Sequence, residues 1–246
     1  MRKIFISLLV TFLPFILSAQ IKNISWSRIA MDSTYDSTIP NLCDSLIDGY
    51  SPGIRPLMEI IIYSKTPVSR SYPEGALSNL ATDIILYTAE KLVPQSHHNM
   101  IALLNFGGIR EDFPKGPIRK YDVLSSFPFD NYIVVMKIKG KDIRKLLTSF
   151  ANNNFQPLAG VRMEVENNKL TKISIQGSPL YDNKTYYLAT VDFIYNGGDH
   201  INIKKDVFSV LKTKIAVRDA VMDYLSNLNS KGQVLNYTID HRIIVK

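Results

Sequence analysis

The chain has 246 residues, 46% apolar and 21% charged, which predicts one ordinary folded domain and excludes a disordered protein. Its 29 basic and 22 acidic side chains give a net charge of +7, a balance that fits an anionic ligand, but the basic residues are scattered and predict no nucleic-acid groove. The single cysteine, Cys43, excludes an internal disulfide and a cysteine-rich metal site.

The first twenty residues read MRKIFISLLVTFLPFILSAQ. Arg2 and Lys3 precede a mainly apolar stretch from Ile4 to Leu17, and Ser18-Ala19 supplies small residues for cleavage before Gln20. The stretch is shorter than the ~20 residues that span a bilayer, so residues 1–19 read as a removed signal peptide with no membrane span left after it. No cysteine follows for lipid attachment. The mature chain is therefore expected to be exported, periplasmic or extracellular.

Residues 20–56, with DSTYDSTIPN and YSPGIRP, are dense in turn formers and predict an N-terminal arm. Residues 57–246 form the expected main domain. LMEIIIYSK (Leu57–Lys65) has the β-branched density of a buried strand. From Gly75 the period changes to that of a helix, with Leu77, Leu80, Ala81, Ile84, Ile85 and Thr88 on one face, ending before Pro94. MIALLNF (Met100–Phe106) predicts a short strand. A helix or turn follows near Tyr121–Ser125, then a strand at Tyr132–Ile138.

In KIKGKDIRK (Lys137–Lys145) a strand end runs through Gly140 into a helix carrying Ile143, Leu146, Leu147 and Phe150; its lysines form a solvated face. GVRMEV, LTKISI and TYYLATVDFI read as strands, the first two joined by a hairpin at Asn167-Asn168. IAVRDAVMDYLSNL is the last helix, with Val217, Ala220, Val221, Tyr224 and Leu225 inward, and YTIDHRIIV closes as a strand. Interleaved helices and strands with late hairpins predict an α+β fold, a single mixed-sheet domain with flanking helices.

Two glycine pairs stand out, each at the end of an apolar strand. LNFGGIRED places Gly107 and Gly108 between Asn105 and Arg110; VDFIYNGGDH ends in Asp199. Between them, FPFDN fixes a proline between Phe127 and Phe129. Binding groups collect at such strand ends because a rigid scaffold holds them. The chemistry suits a flat heterocycle joined to a sugar. Phe129 and Phe193 can stack on a base, Asp199 can accept from ribose hydroxyls, Asn131 can read a ring edge, and Arg110 can answer a phosphate or carboxylate. Read by pattern alone, the two phenylalanines also fit a core and the glycine pairs also fit plain turns.

LSNLATD (Leu77–Asp83), NFGGIR (Asn105–Arg110), FPFDN (Phe127–Asn131) and FIYNGGD (Phe193–Asp199) resemble, in order and approximate spacing, the signatures of the 5'-nucleotidase C-terminal domain, over Leu57 to Leu225. The resemblance implies an α/β/β/α-like architecture that holds the nucleoside half of the substrate. It makes Phe129 and Phe193 the stacking pair, Asp199 the ribose ligand and Asn131 a base contact. Asn105 and Arg110, with Gly107 and Gly108, then help hold the nucleotide at the bare turn. The family's further arginine falls in strict register on Ser71; a one-residue shift makes Arg70 its candidate replacement. His200 reads as a rim residue.

Family members usually begin with a metallophosphatase domain holding two metal ions. Of the four histidines, His97, His98, His200 and His241, none lies in an Asp-x-His or Gly-Asn-His-Glu setting, and His97-His98 reads as an ordinary loop. The resemblance thus implies no cofactor in this chain, and two divalent metal ions in a separate metallophosphatase chain that cuts the phosphate ester. The expected function is the nucleotide-recognising half of a split exported 5'-nucleotidase. The alternatives are a nucleoside- or nucleotide-binding protein without catalysis and a domain used only for protein contacts.

Overall fold

The computed structural model describes residues 49–203 and 206–246. The expected signal peptide, Cys43 and most of the arm lie outside the described residues. Within them, Arg55–Met58 forms a 3-10 turn opened by Pro56, and β1 (Ile60–Ser64) follows. This strand is shorter than expected and only half-buried. Ile61 and Ile62 enter the core while Ile60 and Tyr63 face out.

Helix α1 (Ala76–Leu92) buries Leu77, Leu80, Ala81, Ile84 and Ile85 on one stripe and stops short of Pro94. Its first turn is closed by Ser78, whose Oγ accepts the Gly75 N–H at 3.0 Å. Strand β2 (Met100–Leu103) is buried on both faces, and β3 (Gly116–Arg119) pairs antiparallel with β1. Helix α2 (Lys120–Ser126) starts where Asp122 Oδ2 accepts the Arg119 N–H at 2.6 Å. Strand β4 (Tyr132–Lys139) runs directly into α3 (Gly140–Phe150). Gly140 is required there, since a Cβ would lie 2.1 Å from the Tyr181 carbonyl oxygen.

Short β5 (Leu158–Ala159) precedes the hairpin of β6 (Val161–Glu166) and β7 (Lys169–Ile175). Asn167 and Asn168 turn it with φ of 50° and 59°, the left-handed pair that a tight hairpin needs. After β8 (Ser178–Pro179) comes β9 (Thr185–Val191). The strand expected to continue through DFI ends at Val191. Asp192–Tyr195 is instead a helical turn, α4, begun where Asp192 Oδ1 accepts the Phe193 N–H at 2.9 Å. Strand β10 (Val207–Ala216), unforeseen in the sequence, leads into α5 (Val217–Ser230), and the expected last strand shrinks to β11 (Ile243–Val245).

Three sheets result: β1-β3, a five-stranded sheet ordered β10-β4-β9-β2-β5, and a four-stranded sheet ordered β11-β6-β7-β8. The α+β expectation is met. Helix α1 packs on β2, β5 and β9, and α5 packs on α1 and β1, so that one apolar core runs between helices and sheet.

Candidate functional site

The topology of the five-stranded sheet gathers the quoted motifs at one end. Strands β2 and β9 run parallel, while β4 runs antiparallel to both β9 and β10. Their pairing puts the C-terminal ends of β2, β9 and β10 beside the start of β4. NFGGIR leaves the end of β2, FIYNGGD leaves the end of β9, and FPFDN enters the sheet at the start of β4. Thr190 Oγ1 donates to the Leu103 carbonyl at 2.7 Å, tying the β9 end to the β2 end just before both loops depart.

After β2, Asn105 is only 4% exposed and opens a 3-10 turn over Phe106–Gly108. Its Nδ2 donates to Asp199 Oδ2 at 2.7 Å, while its Oδ1 is buried without a partner. The glycines make room for this amide. A Cβ on Gly107 would lie 3.3 Å from Asn105 Nδ2, and one on Gly108 would lie 3.0 Å from Oδ1. Asp199 is exposed and holds φ 50°, ψ 30°, the left-handed region that aspartate tolerates better than most residues.

Arg110 is exposed just past the turn, its main chain fixed by an N–H bond to the Ser126 carbonyl at 2.9 Å. Arg70 reaches the same turn from the segment before α1. Its guanidinium donates to the Ile109 carbonyl, and its N–H donates to Asp112 Oδ1 at 2.8 Å. Both cations therefore flank the glycine turn. Beside Arg70, the Tyr72 ring sits 5.6 Å from Phe106 and 5.8 Å from Phe155. These residues and Gln156 line an open depression of about 440 Å³.

Phe129 is 45% exposed and Phe193 44%, so neither is a core residue. Phe127, by contrast, is buried edge-to-face against Phe113, with centroids 6.3 Å apart. Proline thus separates an anchor from a free ring. Each free ring sits on its own loop. The Phe193 ring lies over Gly198, where a Cβ would come within 2.3 Å of it. One carboxylate links the two loops: Asp192 Oδ1 accepts the Phe193 N–H at 2.9 Å and the Tyr132 N–H at 3.1 Å. On the other flank, Asp130 pairs with Arg218 at the start of α5, and the Asn131 carbonyl accepts the Val217 N–H at 3.0 Å. Asn131 is half-buried; His200, with φ 60°, is exposed at the rim.

LSNLATD serves the scaffold. Asn79 Nδ2 donates to Glu74 Oε1 at 2.7 Å and to Asp240 Oδ1 at 3.1 Å. Asp83 Oδ2 accepts from Arg242 Nη2 at 2.7 Å and from the Tyr237 hydroxyl. Arg242, 7% exposed, also reaches Asp240 Oδ1 at 2.6 Å and the Leu158 carbonyl at 2.9 Å. Burial works against its charge, and Asp83, Tyr237 and Asp240 together outweigh it, so its pKa is raised. Burial and Asp83 together push the Tyr237 phenol up as well. Sequence reasoning missed Asp192, Arg218 and Arg242. Asp192, directly after a buried strand, carried a local signal; the partners of Arg218 and Arg242 are too distant in sequence to read.

Residues 60–206 match the family model described as 5'-nucleotidase, C-terminal domain. Protein UshA of Yersinia enterocolitica is 36% identical over 103 residues, 40% of this chain and 19% of that protein. A 5'-nucleotidase of Vibrio cholerae is 27% identical over 129 residues, half of this chain and 23% of its own length. The chain thus matches about a fifth of the length of these curated relatives. Among solved structures, a 5'-nucleotidase precursor from Thermus thermophilus superposes with a TM-score of 0.71 at 27% identity, over 82% of this chain and 42% of its own.

Proposed function

We propose a function from one premise: the chain belongs to the family of 5'-nucleotidase C-terminal domains. On that premise the chain is the nucleotide-recognising half of an exported 5'-nucleotidase. Phe129 and Phe193 stack on the base, Asn131 reads its edge, Asp199 takes the ribose diol, and Arg110 with Arg70 neutralises the phosphate side of the glycine turn. A separate metallophosphatase chain, holding two divalent metal ions, supplies hydrolysis of the phosphate ester. Binding energy from the non-reacting base then positions the phosphate at those metals. The leader-like first 19 residues support export, and no helix among the described residues is long and apolar enough to cross a membrane.

The observation that carries the reading is the convergence of three motif loops at one end of one sheet, carrying two exposed rings, a carboxylate and the Arg110 guanidinium, with Arg70 reaching in from the segment before α1. The test is an AMP hydrolysis assay of the purified chain with divalent metal, alone and with a co-expressed metallophosphatase from the same source. Phosphate release is expected only from the pair. Release by the pure chain would refute the division of labour, and a melting temperature unmoved by adenosine or AMP would refute nucleotide recognition.

A further inference from the structure

Asn105 is oriented toward Asp199, not toward open solvent. One of its two amide hydrogens goes to Asp199 Oδ2 at 2.7 Å, and its carbonyl oxygen is fully enclosed beside Gly108. With its oxygen enclosed, the side chain is oriented by the hydrogen bond that its nitrogen gives to Asp199. What the donor does is grip one oxygen of an exposed carboxylate whose backbone sits in a left-handed loop. Gly197 before it, with φ 95°, and His200 after it, with φ 60°, belong to the same non-repetitive loop, so no strand ladder holds the carboxylate. Asn105, by contrast, is anchored at the end of a fully buried strand.

We infer that Asn105 is a positioning residue: it transfers the rigidity of β2 to Asp199 and thereby sets the preference for ribonucleosides over nucleosides lacking the sugar diol. The inference rests on the proposed role of Asp199 as the ribose acceptor. A carboxylate with one oxygen pinned presents its remaining lone pairs in a fixed direction, and a vicinal diol needs that direction. Gly107 and Gly108 are part of the device, because a side chain on either would crowd the amide that does the pinning.

The test is NMR titration of the full chain with adenosine and with 2′,3′-dideoxyadenosine. Asn105→Ala is expected to weaken adenosine about tenfold or more, the loss of a charge-assisted hydrogen bond. It should leave dideoxyadenosine within about twofold. Asn105→Ala should add nothing further in an Asp199→Ala background. Asn105→Asp is near-isosteric and covers the case in which the alanine variant does not fold. In that variant two carboxylates face each other and repel unless they share a proton, so its adenosine affinity relative to the parent's should fall from pH 5 to pH 8. Equal losses for both ligands, additive losses in the double variant, or a pH-flat Asn105→Asp would overturn the positioning role while leaving nucleoside recognition intact. A parent chain that binds neither ligand would remove both.

Discussion

Arg242 and Asp83 are 159 positions apart in the chain and meet at 2.7 Å, joining the approach to the last strand to the first long helix. Around them Glu74, Asn79, Tyr237 and Asp240 share hydrogen bonds. Losing either member of the pair has unequal consequences. Without Arg242, Asp83 keeps the Tyr237 hydroxyl, and the Leu158 carbonyl keeps Thr82 Oγ1 at 3.1 Å. Without Asp83, a nearly buried guanidinium keeps Asp240 and the Leu158 carbonyl but loses the carboxylate on its Nη2 side. Asp83→Ala is therefore expected to destabilise by roughly 2–4 kcal/mol and Arg242→Met by less. Urea denaturation of the two variants measures the order; the reverse order would show that packing of the arginine stem dominates.

The exposed rings separate binding from folding. Phe129→Ala and Phe193→Ala should each cost adenosine binding ~1–3 kcal/mol, the contribution of one base stack. Because each ring is nearly half exposed, the melting temperature should barely move. Calorimetric titration together with thermal melts checks both halves of the statement.

Gly198→Ala probes the seat of one ring. The added methyl would need space now occupied by the Phe193 ring, at 2.3–2.5 Å from three of its atoms. The ring can swing toward solvent, so stability should change by less than about 1 kcal/mol. A stacking face displaced in this way should lose adenosine affinity nearly as far as Phe193→Ala does. Unchanged affinity would place the base away from this ring.

Tyr237 predicts an alkaline signature. Its phenol pKa in the folded chain lies above the ordinary value of 10.0, chiefly through burial and then through Asp83. The folded state thus holds that proton more tightly than the unfolded state. The resulting stability is complete below pH 10 and declines as pH rises beyond it. Tyr237→Phe should flatten this decline relative to the parent. Urea midpoints recorded from pH 8 to 11.5 give the comparison, and parallel curves would count against the coupling.

Where a local stretch carried its own period or punctuation, the sequence was readable. The stripe Leu77–Leu80–Ala81–Ile84–Ile85, the strand through Val134 and Met136, and the Asn167-Asn168 turn all formed as expected. Strand β10 was hidden because it lies at a sheet edge. Ser209, Lys212 and Lys214 stay in solvent, and the apolar alternation that marks a two-sided strand is lost. The end of β9 was misplaced because Asp192 turns the chain with its own side chain while Phe193 and Ile194 still look strand-like. At the site, residue types and order were legible, whereas contacts between Asn105 and Asp199, or Asp192 and Tyr132, depend on strand pairing that no window of sequence contains.

The carboxylate of Asp192 grips the main chain on both sides of the β9–β4 seam, at Phe193 itself and at Tyr132, three residues after Phe129. The loops that carry Phe129 and Phe193 are therefore tied at their roots to one and the same ladder. Substitutions within FPFDN or FIYNGGD can change the side chains that these loops carry, but to shift one root against the other the molecule must slip β9 along β4. Such a slip would turn Val191 and Ile133 out of the core.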